Sequence, residues 1–188
     1  MRRLIVFNNV TVDGYFAAKN GEMQWAHRNA QDEEYSAFVA GNANGEGQLL
    51  FGRITYQMMA SFWPTPMAME QLPAVARGMN RMSKIVFSRT LNEATWNNTK
   101  LVKGGLVDEV RKMKNEAGPD MAILGSGSIV SQLATAGLID EFQVMVNPVI
   151  LGGGRTMFDD VGRKLNLKLA NTRAFRNGNV LLNYVPAA

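Results

Sequence analysis

The apolar residues of this chain change their period once, after Leu138, and that change restricts the architecture more than any single motif. Before it, Leu4-Ile5-Val6-Phe7 reads as a strand from its continuous apolar run, and Gln48-Leu49-Leu50-Phe51, Lys84-Ile85-Val86-Phe87, Thr99-Lys100-Leu101-Val102 and Met121-Ala122-Ile123-Leu124 read as further short strands. Such runs suit strands covered on both faces. Helical patterns separate them. One carries Tyr35, Phe38 and Val39 behind Asp32, Glu33 and Glu34, acids that favour a helix start. A short helix runs from Ile54 to Met59, and Met67 to Met82 is mostly helical despite Pro73. Another, from about Gly105 to Glu116, has Leu106, Val107, Val110 and Met113 as its stripe and stops at Gly118-Pro119. The last starts at Ser126 or Ser128 and ends at Ala136. This β-α-β-α order predicts a mainly parallel sheet with helices on both faces.

After Leu138 the period becomes two, in Glu141 to Val146 and Leu165 to Leu169. Thr172 to Arg176 and Asn179 to Tyr184 flank Asn177-Gly178, a dipeptide suited to a type I′ hairpin. The C-terminal part therefore reads as antiparallel strands completing the same sheet, and residues 1–188 as one α/β domain. Asp13 to Asn29 has no helical period, carries the turn glycines Gly14 and Gly21, and is long enough to serve as a lid.

Composition excludes several chemistries. No cysteine and a single histidine, His27, leave no disulfide, thiolate nucleophile or usual zinc set, so no metal is expected. A Ser-His-Asp triad would need His27 and lacks a G-x-S-x-G elbow. The net charge of +4 is modest. Its longest basic stretch, Arg111-Lys112-Met113-Lys114, lies beside Asp108 and Glu109 as a solvated helix face, so no nucleic-acid partner is expected. Asn8, Asn9 and Asp13 interrupt the N-terminal apolar run too early for a leader, and no run reaches membrane-span length. The expectation is a soluble, cytoplasmic protein.

Three strand ends offer groups that suit phosphate. Gly125-Ser126-Gly127-Ser128 joins a strand to a helix start, where free N–H groups and the helix dipole attract anions. Gly125 and Gly127 would permit close backbone approach, with Ser126 and Ser128 as donors. Gly52-Arg53-Ile54-Thr55 and Ser88-Arg89-Thr90 each set a cation beside hydroxyls after an apolar run. Together they predict a nucleotide cofactor across a sheet edge. A Rossmann site is excluded, because Val130 stands where a small residue is needed and no acidic ribose partner follows. Trp25, Tyr56 and Trp63 are candidates to wall a flat substrate pocket.

This order of motifs resembles the dihydrofolate-reductase-like superfamily. Within it, the chain is similar to the group related to the C-terminal reductase domain of the bifunctional riboflavin-biosynthesis deaminase/reductase. The carriers are Thr11-Val12-Asp13-Gly14-Tyr15-Phe16-Ala17, Phe51-Gly52-Arg53-Ile54-Thr55-Tyr56 and Phe87-Ser88-Arg89-Thr90, then Asp120 to Ser128 and Pro148 to Gly154. The resemblance implies a single dihydrofolate-reductase-like domain without a zinc deaminase half, NADPH as hydride donor, and a homodimer built on the C-terminal strands. It implies that Asp13 lies near the nicotinamide, orienting substrate or relaying a proton. Glu34, four residues before Phe38, has the spacing of the pterin-facing carboxylate of dihydrofolate reductases, with Asp32 the other candidate; the Leu-Pro segment of those enzymes is missing.

The expected function is NADPH-dependent hydride transfer to a small planar heterocycle: a pterin, a pyrimidine or a related conjugated C=N or C=O compound. The alternatives are a genuine dihydrofolate or riboflavin-pathway reductase, a nucleotide-binding regulator without turnover, and an adaptor using a methionine-rich surface. Gly152-Gly153-Gly154 reads as a bulge or wide turn between strands, with a dimer contact or a pocket edge as the other readings.

Overall fold

Apolar runs bounded by turn residues form the strands of an eight-stranded sheet in the computed structural model, which describes residues 1–27, 32–43 and 45–187. The strands are β1 (Leu4–Thr11), β3 (Gln48–Gly52), β4 (Ser83–Phe87), β5 (Thr99–Val102), β6 (Met121–Leu124), β7 (Glu141–Asn147), β9 (Leu167–Ala174) and β10 (Val180–Pro186). Their order is β5-β4-β3-β6-β1-β7-β10-β9. All pairs from β5 to β7 are parallel; β7-β10 and β10-β9 are antiparallel. Two short strands, β2 (Tyr15–Ala17) and β8 (Arg155–Thr156), form a separate antiparallel ribbon, and a 3-10 turn covers Gln24–His27.

Helices α1 (Glu33–Ala43), α2 (Arg53–Phe62), α3 (Pro66–Gln71) and α4 (Pro73–Arg81) accompany α5 (Leu106–Asn115) and α6 (Gly127–Thr135). The stripe of α5 and α6, with Val110, Met113, Val130 and Leu133, buries Leu4, Val6, Leu50 and Ile123. The opposite face packs Phe51, Val86 and Trp96 with Tyr56, Val75 and Met79. Beside it, Tyr35 and Phe38 of α1 gather Phe7, Met145 and Phe175. Fully burying one such side chain contributes roughly 1.5–3 kcal/mol. These layers are why the runs carry no polar alternation.

Four local expectations are corrected. The stretch from Met67 to Met82 is two helices, because Pro73 cannot continue the ladder and Leu72 leaves helical geometry (φ −137°, ψ 59°). β7 alternates yet lies parallel to β1, and its two faces meet different clusters, Phe142 in the layer under α5 and α6 and Met145 in the one beside α1. The β9–β10 connection is not type I′. Gly178 has φ +86° but Asn177 is not left-handed, and Phe175 N–H bonds Asn179 O at 2.8 Å, closing a longer loop. Leu165 to Leu169 and Thr172 to Arg176 supply one strand, with an irregularity opposite Asn183 and Tyr184.

Lys84 shows what the sheet interior tolerates. It is 1 % exposed. Its ammonium donates to Met79 O at 2.8 Å and Met82 O at 2.6 Å at the end of α4, and lies 4.4 Å from the Trp96 ring centroid. Burial nevertheless pushes its pKa down to about 8. In the unfolded chain the amine keeps its proton to about pH 10.4. Folding is therefore expected to strengthen as pH rises from about 8 toward 10.5, by up to about 3 kcal/mol. Denaturant titrations of the protein and of Lys84→Met test this. A parent-minus-variant difference that stays flat from pH 7 to 10 would contradict it.

Candidate active site

β3 and β6 are adjacent, but the chain leaves them in opposite directions: from β3 toward β4, and from β6 past β1 to β7. Open parallel sheets form a crevice at such a switch point, beyond the carboxyl ends of the strands. A groove of about 680 Å³ lies there. Gly52, Arg53, Ile54 and Thr55 line it from the start of α2, and Ser126, Gly127 and Ser128 from the start of α6. Phe87, Ser88 and Arg89 enter from β4, Gly104 and Leu106 from before α5, and Phe16 and Arg155 to Met157 from the ribbon. The three turns singled out in the sequence thus share one cavity.

Hydrogen bonding assigns them different work from that expected. Ser126 is left-handed (φ 61°, ψ 59°), uncommon for a non-glycine residue and costing about 1–3 kcal/mol. Its Oγ accepts from Gly52 N–H at 2.9 Å, tying the α6 turn to the α2 turn. Gly125 N–H is spent on Asn8 Oδ1 at 2.7 Å, so it is no free phosphate donor. Gly125 has φ +67°, and a Cβ there would meet Thr55 Cγ2 at 3.1 Å: its close approach is to α2, not to a ligand. Gly127 and Ser128 occupy the first turn of α6, where N–H groups have no intrahelical partner. They line the groove, where such N–H groups could receive an anion.

At the β4 end, Ser88 Oγ accepts from Leu91 N–H at 2.9 Å and Thr90 N–H at 3.2 Å, which turns the chain sharply. Arg89 is exposed on that turn and makes no ion pair among the described residues. Thr90 does not line the groove. Arg53 is exposed, with its guanidinium 3.1 Å from Gln57 Oε1.

The expected catalytic carboxylates are not brought into the groove. Asp13 accepts from the Thr11 hydroxyl at 2.5 Å and from Gly152 N–H at 2.8 Å and Leu151 N–H at 3.1 Å. The Thr11 bond foremost, with those N–H groups, holds its pKa below the usual carboxylate value, so Asp13 stays ionised as a tie between loops. Glu34 pairs with Arg173 of β9 at 2.6 Å. Asp32 caps α1: burial raises its pKa, but N–H bonds from Tyr35, Asn177 and Glu34 outweigh it and the net shift is downward.

Nor do the aromatic candidates wall this cavity. Tyr56 is 3 % exposed in the core, its hydroxyl accepting from Trp96 N–H at 3.0 Å. Trp63 packs on Phe62 with its indole N–H toward Met59 Sδ at 3.1 Å. Trp25 is buried in the 3-10 turn, and its Nε1 has no hydrogen-bond partner among the described residues. Phe16, Phe87, Leu106 and Met157 supply the apolar wall instead. Of the expected lid, residues 13–27 form a turn, β2 and the 3-10 turn; Arg28 and Asn29 lie outside the described residues.

Sequence reading missed Arg155, Gln132 and the pair Asp159 and Asp160, which also line the groove. For Arg155 a signal existed, since it directly follows Gly152-Gly153-Gly154. Among the described residues, no cluster of His, Cys, Asp and Glu could hold a metal ion, and no helix is long and apolar enough to cross a membrane.

This switch-point groove, on a mostly parallel sheet ended by antiparallel strands, defines a protein of the dihydrofolate-reductase-like fold. The chain belongs to the RibD C-terminal domain family, whose model matches residues 2–181. Protein YyaP of Bacillus subtilis (strain 168), itself uncharacterized, is 32% identical over 183 residues, covering 97% of this chain and 94% of YyaP. A putative riboflavin biosynthesis protein from Shewanella sp. PV-4 superposes with a TM-score of 0.71 at 24% identity, covering 99% of both chains. Dihydrofolate reductase from Enterococcus faecalis, complexed with NADP(H), gives 0.67 at 14% identity over 99% of this chain and 97% of its own. At those identities the two structures establish the fold.

Proposed function

We propose that this protein is an NADPH-dependent reductase acting on a small planar heterocycle with a conjugated C=N or C=O group. One observation carries the reading: the starts of α2 and α6 and the Ser88-Arg89 turn converge on one groove that also holds Arg53, Arg89 and Arg155. A dinucleotide needs a pyrophosphate site at helix N-termini and a separate cation for a 2′-phosphate. Gly127 and Ser128 with Arg53 and Thr55 suit the first; Arg89 suits the second. When bound, the nicotinamide supplies the hydride.

The chain's own residues bind, orient and exclude water. Phe16 and Met157 close the groove on the β1 side, and Phe87 and Leu106 on the β5 side. Reduction of C=N or C=O also requires a proton. Asp13 and Glu34 lie outside the groove, engaged by N–H groups and Arg173, so the proton is assigned to solvent or to the groove-lining Asp159 and Asp160. The decisive experiment titrates the full chain with NADPH and then follows its oxidation at 340 nm with dihydrofolate, ribosylamino-pyrimidines and quinonoid pterins. Turnover with one of these establishes the reductase. Tight binding without oxidation by any of them would favour the regulator, and absence of NADPH binding would remove the whole reading.

The protein acts as a cytoplasmic homodimer in this proposal, paired through β9. That strand is the sheet's last, and all its residues are exposed, Leu167 at 38% and Leu169 at 47%. An uncovered edge of that length invites pairing with another chain. Light scattering that returns a monomer mass at micromolar concentration would rule this out.

A further inference from the structure

We infer that Arg155, carried by the β2–β8 ribbon, is a binding residue for the pyrophosphate of the dinucleotide, common to phosphorylated and unphosphorylated coenzymes; the inference rests on the dinucleotide reading above. The ribbon is built to hold that position. Asp13 fastens the β1–β2 turn to Leu151 and Gly152 by their N–H groups. Gly154 runs so close to β2 that a Cβ there would stand 2.2 Å from Ala17 O. Ala17 is in turn the register partner of Arg155. The triple glycine thus lets β8 lie against β2 at backbone distance, and the next residue is the arginine.

The ribbon packs on the start of α6. A Cβ on Gly127 would stand 3.5 Å from the Phe16 ring and 3.7 Å from Met157 O, and Ser131 Oγ donates to Met157 O at 3.4 Å. Phe16 and Met157 neighbour Arg155 across and along the ribbon, and all three line the groove together with Gly127 and Ser128, whose N–H groups open the α6 helix. Arg89 enters from β4, on the other side of β3 and β6. One cation therefore serves the adenosine end and the other the middle of an extended dinucleotide. Arg155 forms no ion pair among the described residues, and the Thr156 hydroxyl engages neighbouring Asp159, leaving the fork of donors free for an anion.

The test uses the full chain and three probes: NADPH, NADH and adenosine 2′-phosphate, which has the 2′-phosphate but no pyrophosphate. At low, matched salt, Arg155→Ala is expected to weaken NADPH and NADH alike by about 10-fold and to leave adenosine 2′-phosphate unchanged. The deficit should shrink at high salt, where the parent's added contact is screened. Arg155→Met, which keeps the stem and removes the charge, should lose as much affinity as Arg155→Ala, which a lost packing contact would not predict. Circular dichroism and melting temperature should match the parent, since the side chain is exposed. Coenzyme affinities within twofold of the parent, or an equal loss for adenosine 2′-phosphate, would overturn this assignment alone. A parent that binds neither coenzyme would overturn the dinucleotide reading and the assignment with it.

Discussion

Arg89→Ala is expected to weaken NADPH binding by about 10- to 100-fold while leaving NADH nearly untouched. The turn that carries Arg89 is set by Ser88, whose backbone N–H bonds Val102 O at 3.0 Å and whose Oγ caps Leu91. Those bonds persist when the arginine side chain is removed, so the variant loses a cation and keeps the turn. A planar guanidinium matches a phosphate dianion better than a neutral ribose hydroxyl. A charge-assisted hydrogen bond contributes roughly 1.5–3 kcal/mol, which is the stated range of affinity. The site is exposed, so the comparison belongs at low and equal ionic strength. Equal binding of the two coenzymes by the parent, or equal loss of both by the variant, would show that Arg89 does not read a 2′-phosphate. The second pattern is the one expected of Arg155→Ala, so the two variants separate the ends of the groove.

For Gly78→Ala the expected result is a loss of about 2–4 kcal/mol of stability and a melting temperature lower by roughly 5–15 °C. Gly78 lies inside α4, where alanine is ordinarily the better helix former by about 1 kcal/mol. Here α1 crosses so closely that a Cβ on Gly78 would stand 2.0 Å from Ala43 O and 2.7 Å from its carbonyl carbon. Both are backbone atoms, so no rotamer relieves the contact and the two helices must separate. That movement would loosen Val75 and Met79 against Trp96 and Phe51. Thermal unfolding followed by circular dichroism decides the matter. A melting temperature at or above the parent's would mean that propensity outweighs the contact.

Local pattern carried much of the fold. Most strands of the parallel half were legible because buried strands carry short apolar runs, and β6 has the predicted limits, Met121–Leu124, whereas the parallel pairing of β7 was not. The turn groups were legible too: glycines, hydroxyls and arginines at strand ends announce themselves by type. Most of the predicted cofactor residues, from Gly52 and Arg53 to Ser88, Arg89 and Ser126 through Ser128, do line one groove. What pattern could not supply was the identity of each group's partner. Ser126 and Gly125 look like phosphate donors in the sequence, yet one accepts from Gly52 and the other donates to Asn8, 117 positions away.

The same distinction separates the candidate acids from their roles. The resemblance implies catalytic roles for Asp13 and Glu34, but a carboxylate's chemistry depends on what reaches it. Backbone N–H groups 138 and 139 residues away reach Asp13, and Arg173, 139 residues away, reaches Glu34. Aromatic type alone makes Tyr56 and Trp63 candidates for a pocket wall, but it does not say which side of the sheet a ring faces.

By itself, then, the sequence determined what depends on neighbours along the chain: the strands and helices, the breaks at Pro73 and Gly118-Pro119, and the chemical type of each turn. Only the tertiary structure decided what depends on distant approach. It set β7 parallel to β1 and drew the two-residue strand β8 against β2, far too short to show a period. It also put Arg155 beside the start of α6. Periodicity is a property of consecutive residues and is written in their order. A hydrogen bond or a clash between segments more than a hundred residues apart exists only once the chain has closed on itself.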